Sequence, residues 1–134
     1  MKRILLFTGC TLFITALGMV TSCRESLEDQ CAREAKTFTK KNCPAKLSDE
    51  ITVDSMTFDK ATHTLSYYYN MTLPAGETDY LPQDEWRKVL LRDLKNATSM
   101  KPYLDAGYNV QYIYYSAKEP GKLLFSAKFT PEDY

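Results

Sequence analysis

Two stretches of alternating residues constrain the fold of this chain more than any other feature. From His63 to Thr72, Leu65, Tyr67, Tyr69 and Met71 alternate with Thr64, Ser66, Tyr68 and Asn70. From Tyr108 to Ser116, Tyr108, Val110, Tyr112 and Tyr114 alternate with Asn109, Gln111, Ile113 and Tyr115. A period of two puts one set on each face of a strand, so both stretches read as strands with a helix-covered aromatic face. Each has a neighbour across a short turn. Ile51 to Phe58 precedes the first, across Asp59-Lys60-Ala61-Thr62. Leu123, Phe125, Ala127 and Phe129 follow the second, across Glu119-Pro120-Gly121. Each pair predicts an antiparallel hairpin. In Ile51–Phe58 the apolar parity changes between Val53 and Met56, which predicts a β-bulge near Asp54-Ser55.

Two other stretches have the helical period. Leu27, Cys31, Ala35 and Phe38 fall at steps of four, four and three and form one stripe. Lys40 and Lys41 suit the negative dipole end of that helix, and Asn42-Cys43-Pro44 stops it. After a loop over Leu73–Leu81, a second helix runs from Pro82 to about Ser99. Asp84 and Glu85 occupy its first turn, and Trp86, Val89, Leu90, Leu94 and Ala97 form its stripe. The order α-β-β-α-β-β predicts an α+β fold: a four-stranded antiparallel sheet with both helices on one face.

The first 22 residues stand apart. Lys2 and Arg3 precede an apolar run from Ile4 to Val20, which ends in small residues and Cys23, the layout of a secretory signal. At 17 residues, diluted by Thr8, Gly9, Thr11, Thr15 and Gly18, the run sits at the lower limit for a spanning helix. Val20-Thr21-Ser22-Cys23 resembles a bacterial lipobox. The resemblance implies that Cys23 receives a diacylglyceryl thioether, that a peptidase cuts before it, and that its new amino group is acylated. Residues 1–22 are therefore expected to be a lipoprotein signal peptide carrying Cys10 away with them. Residues 23–134 form one α+β domain behind a short tether. Arg24, in place of the aspartate that marks inner-membrane retention in well-studied lipoproteins, points to the outer membrane. The expected partners are thus the membrane, through the anchor, and an envelope protein or glycan.

Charge excludes one class of partner. Basic and acidic residues number 17 each. Loss of Lys2 and Arg3 leaves the domain slightly acidic, with no footprint for nucleic acid.

A wider resemblance rests on Cys43-Pro44, Thr52-Val53-Asp54-Ser55, Tyr67-x-Tyr69, Tyr114, Gly121 and the ending Thr130-Pro131-Glu132-x-Tyr134. Together they resemble small uncharacterised bacterial envelope lipoproteins, many from Bacteroidetes. That likeness supports the domain boundaries and implies no activity.

The inventory for catalysis is thin. His63 is the sole histidine, placed where a strand opens beside a turn. No Cys-x-x-Cys, His-Glu-x-x-His, Gly-x-Ser-x-Gly or phosphate-binding glycine loop occurs, so neither a metal nor another cofactor is expected. Asp79, Asp84 and Glu85 read as helix-start carboxylates rather than calcium ligands. Cys31 and Cys43 lie in an oxidising compartment. Along an unbroken helix ten residue steps separate Cys31 from Lys41 by about 15 Å. A disulfide needs Cα atoms about 5–6 Å apart. No bridge is expected, and Cys31 reads as a small core residue.

The candidate functional surface is the other sheet face. Tyr68, Ile113 and Tyr115 have the parity opposite to the helix-covered set, and an open aromatic patch there would bind a partner. The expected function is a lipid-anchored, non-catalytic binding module. Two alternatives stay open: an enzyme with an unfamiliar carboxylate and tyrosine site, and an inhibitor or immunity-like lipoprotein.

Overall fold

The computed structural model describes residues 25–74 and 81–134. Helix α1 spans Leu27–Asn42. Ser26 caps it, its side chain accepting from the Asp29 amide at 3.1 Å. Glu28 and Asp29 sit at the positive dipole end and Lys40 and Lys41 at the negative end. A cis peptide then joins Cys43 to Pro44. The chain continues through β1 (Ala45–Lys46), β2 (Ile51–Asp59) and β3 (Thr64–Met71). Helix α2 (Gln83–Asn96) leads through a 3₁₀ turn (Thr98–Met100) into the short α3 (Lys101–Asp105). Strands β4 (Asn109–Ser116) and β5 (Leu123–Phe129) complete the fold. Gly107, at φ +78, ends α3 in a left-handed conformation that only glycine adopts at no steric cost. The amides of Gly107 and Tyr108 reach back to the carbonyls of Leu104 and Tyr103, a Schellman cap.

Among the described residues the sheet has five strands in the order β1-β2-β3-β4-β5. Two expectations need correction here. The sheet is not four-stranded, because the two residues after Pro44 pair with Val53 and Thr52. It is not wholly antiparallel, because β3 and β4 pair in parallel from Thr64↔Asn109 to Met71↔Ser116. The physical reason is the crossover. Parallel neighbours need a long connection, and α2 provides it, so the two hairpins join as a β-α-β unit. The expected bulge is present, since the β2–β3 register shifts between Val53 and Ser55. A second shift, opposite Tyr114 and Tyr115, was not foreseen. It turns Leu123 out, 54% exposed, and buries Leu124 instead.

Among the described residues α1, α2 and α3 lie on one face of the sheet. Cys31 and Ala35 of α1, Leu94 of α2 and Tyr103 of α3 join Val53, Leu65, Tyr69, Val110, Tyr114, Phe125 and Phe129 in one core. The helices also guard the sheet edges. The Thr39 hydroxyl donates to the Met56 carbonyl at 2.8 Å and accepts from the Met56 amide at 2.9 Å, which closes the β2 edge where β1 has ended. On β5, Gln83 donates to the Leu124 carbonyl and Arg87 to the Lys128 carbonyl. Such covers keep edge strands from pairing with other chains.

Candidate functional site

The sheet face away from the helices carries the residues singled out above. Tyr68 and Ile113 are direct partners across β3 and β4, and Tyr115 is opposite Leu123 on β5. Tyr68 and Tyr115 are half-buried and Ile113 is buried to 7% exposure, so Ile113 forms the floor of the patch. Leu123 extends it as its most exposed member. The surroundings are short and polar: Asn70 is opposite Tyr115, Ser126 opposite Ile113, and the Asn70 amide donates to the Asp54 carboxylate at the bulge. No described element covers this face. Leu123 was missed because its parity in sequence assigns it to the inner set; only the bulge at Leu124 reverses it.

The helix-covered face holds Tyr67, Tyr69, Tyr112 and Tyr114 in a ladder. Tyr69 stacks on Tyr114 at 4.5 Å between ring centroids, and Tyr67 on Tyr112 at 5.6 Å. Trp86 of α2 meets Tyr114 edge-on at 5.4 Å. Burial is the main cause that pushes the Tyr67 and Tyr114 phenols up to about 12, and it raises Tyr69 and Tyr112 as well. These phenols stay protonated in the physiological range. They pack as neutral rings, the Tyr67 hydroxyl donates to the Met100 sulfur at 3.5 Å, and none is poised as a base.

The residues weighed for catalysis are dispersed. His63 sits in the β2–β3 turn at φ +51, stacked on Tyr108 and 2.5 Å from Glu28 of α1. Asp84 and Glu85 are exposed in the first turn of α2. Asp79 and Cys23 lie outside the described residues. Among the described residues no three His, Cys, Asp or Glu side chains gather as a metal site, and no helix is long and apolar enough to cross a membrane. Cys31 and Cys43 are free thiols. Burial, with the Glu34 carboxylate second, pushes the Cys31 thiol up to about 12.

A family model described as a domain of unknown function, DUF8479, matches residues 26–125. The chain belongs to the DUF8479 family. The match begins at the cap of α1 and ends within β5, so it takes in α1, α2 and α3, which cover the sheet, and most of the open face. No curated protein matches. Three solved structures share the fold. PA3611 of Pseudomonas aeruginosa, described as a secreted protein, has a TM-score of 0.63 at 16% identity, covering 81% of this chain and 97% of its own. EpsS, a pilotin of the Vibrio vulnificus type 2 secretion system, has 0.62 at 14% identity, covering 79% and 89%. AspS, a type II secretion pilotin of Vibrio cholerae, has 0.60 at 13% identity, covering 80% and 91%. At these identities the likeness is one of fold.

Proposed function

We propose that this protein is a lipid-anchored component of the bacterial cell envelope, held at the outer membrane through Cys23, and that it binds an envelope protein without catalysing a reaction. The observation that carries the reading is the fold it shares with two secretion pilotins over most of both chains. The lipobox resemblance at Val20–Cys23 agrees with it. The patch of Tyr68, Ile113, Tyr115 and Leu123 is the binding surface in this reading. It pairs aromatic rings with a buried aliphatic floor and a polar rim, the composition of an interface core.

The test compares crosslinked partners retrieved from envelope extracts by the wild type and by Tyr68→Ala, Tyr115→Ala and Leu123→Ser. Removing a central aromatic anchor costs an interface about 2 kcal/mol or more, a roughly thirtyfold loss. On a bare sheet face the same change costs stability at most about 1 kcal/mol. The variants should therefore keep their melting transitions and lose the partner that the wild type retrieves. Folded variants that retrieve the same partner at the same yield would move the binding site elsewhere.

A further inference from the structure

We propose that the domain stands end-on on a phospholipid bilayer, resting on the end that holds the first turn of α1, with Leu47, Tyr115 and Leu123 directed away from the lipid. The inference rests on the anchor at Cys23 in the reading above and adds the orientation.

Chain length limits how far the anchor can stand from the domain. Three residue steps separate Cys23 from Ser26, the cap of α1. An extended chain spans at most about 3.6 Å per residue, so the anchor lies within about 11 Å of the helix start. The tether is effectively shorter, because Arg33 holds the Glu25 carboxylate through two of its nitrogens, at 2.9 Å each. Side-chain hydrogen bonds then fix the start of α1 to the sheet. Glu28 meets His63, and Asp29 accepts from Lys60, both in the β2–β3 turn. The Asn109 amide bonds the His63 carbonyl, which brings the start of β4 to the same end. There too lies an open depression lined by Lys95, Thr98, Lys101, Gly107, Pro131 and Tyr134.

The far end is out of reach. Helix α1 has 16 residues and is about 24 Å long, more than twice the tether. Its C-terminus leads to β1 and Leu47, and the same end carries Tyr115 opposite Leu123. The two ends also differ in surface. Leu47 and Leu123, 62% and 54% exposed, stand at the far end. Lys60, Thr62, Lys95, Thr98, Lys101 and Asp105 are exposed at the near end, a polar surface suited to headgroups rather than to acyl chains. Anchorage and partner binding are thereby assigned to opposite ends of one sheet.

The experiment uses the full-length, lipid-modified chain in vesicles of phosphatidylethanolamine and phosphatidylglycerol. An amine-reactive crosslinker is carried on the phosphatidylethanolamine headgroup, and adducts are mapped by mass spectrometry. A soluble reagent of the same chemistry normalises intrinsic reactivity. Lys60, Lys95 and Lys101 should take most of the lipid adduct, and Lys46 and Lys118 at the far end little. A Gly/Ser spacer of about 12 residues between Arg24 and Glu25 should erase the preference, since fully extended it spans about 40 Å, more than the length of α1. Adducts shared as with the soluble reagent, or concentrated on Lys46 and Lys128 of the open face, would overturn the orientation. Palmitate-analogue labelling, run on the wild type and on Cys23→Ser, separates the two readings. Label lost only in Cys23→Ser keeps the anchor whatever the lysine map shows, whereas equal label on both removes the anchor and the orientation with it.

Discussion

At the scale of single residues, placement in the core decides chemistry. Cys31 has no solvent exposure, and its thiol is pushed up to about 12 by burial and then by Glu34. Cys43 is only half-buried, and burial followed by Asp54 raises it less far. The thiolate is the reactive form, so the two should differ sharply. Native protein at pH 8 should alkylate at Cys43, more slowly than a free thiol, and leave Cys31 unmodified until denaturant is added. Intact mass before and after unfolding, without reductant, checks this. A mass two units low with neither residue alkylated would mean that they are bridged. The helical stripe alone identified Cys31 as a core residue, and the same helix supplies the carboxylate beside it, since Glu34 is three residues on along α1.

At the scale of elements, the helices do two separate jobs. They cover the aromatic face, and they close the edges. Thr39 shows how local the second job is, since one hydroxyl satisfies both the amide and the carbonyl of Met56. Thr39→Val keeps the shape and leaves both groups without that partner. Net hydrogen bonds contribute about 1 kcal/mol each, and an unsatisfied pair costs somewhat more, so the loss should be about 1–3 kcal/mol. Thr39→Ser should restore most of it. The denaturant midpoint measures the stability, and light scattering should show Thr39→Val associating as the β2 edge opens. An unchanged midpoint and a monomeric variant would show that water replaces the hydroxyl without cost. In sequence, Thr39 lies beside the apolar stripe and carries no mark of this role. Its partner is 17 residues away, and only the packing of α1 along β2 brings them together.

At the scale of the whole molecule, one core unites α1, α2 and α3 with the sheet. Leu65, Leu94, Val110 and Phe129 are among its largest fully buried side chains and come from four different elements. With no second core among the described residues to unfold separately, the domain should melt in a single cooperative transition. Leu94→Ala, at 1% exposure on α2, should cost about 2–5 kcal/mol, and the far- and near-ultraviolet signals should be lost together. A variant in which α2 melts first, leaving the hairpins intact, would show that the crossover is a separate unit.

The limits of the sequence follow the range of the forces involved. Periodicity is local, so it located both long helices, the four long strands, the β2 bulge and the two sets of tyrosines on opposite faces. The stop at Cys43-Pro44 is likewise a clash between adjacent residues. The two-residue β1 is too short to have a period, and only its hydrogen bonds to β2 define it. The parallel joint of β3 and β4 depends on how α2 crosses between two hairpins, which alternation within a strand does not encode. Leu123 changes face because a register shift against β4 inserts Leu124, a property of the pair and not of either strand. The open face was therefore legible in Tyr68, Ile113 and Tyr115. Its extension to Leu123, and its distance from the start of α1, belong to the tertiary structure, because register and side-chain hydrogen bonds between distant segments set them.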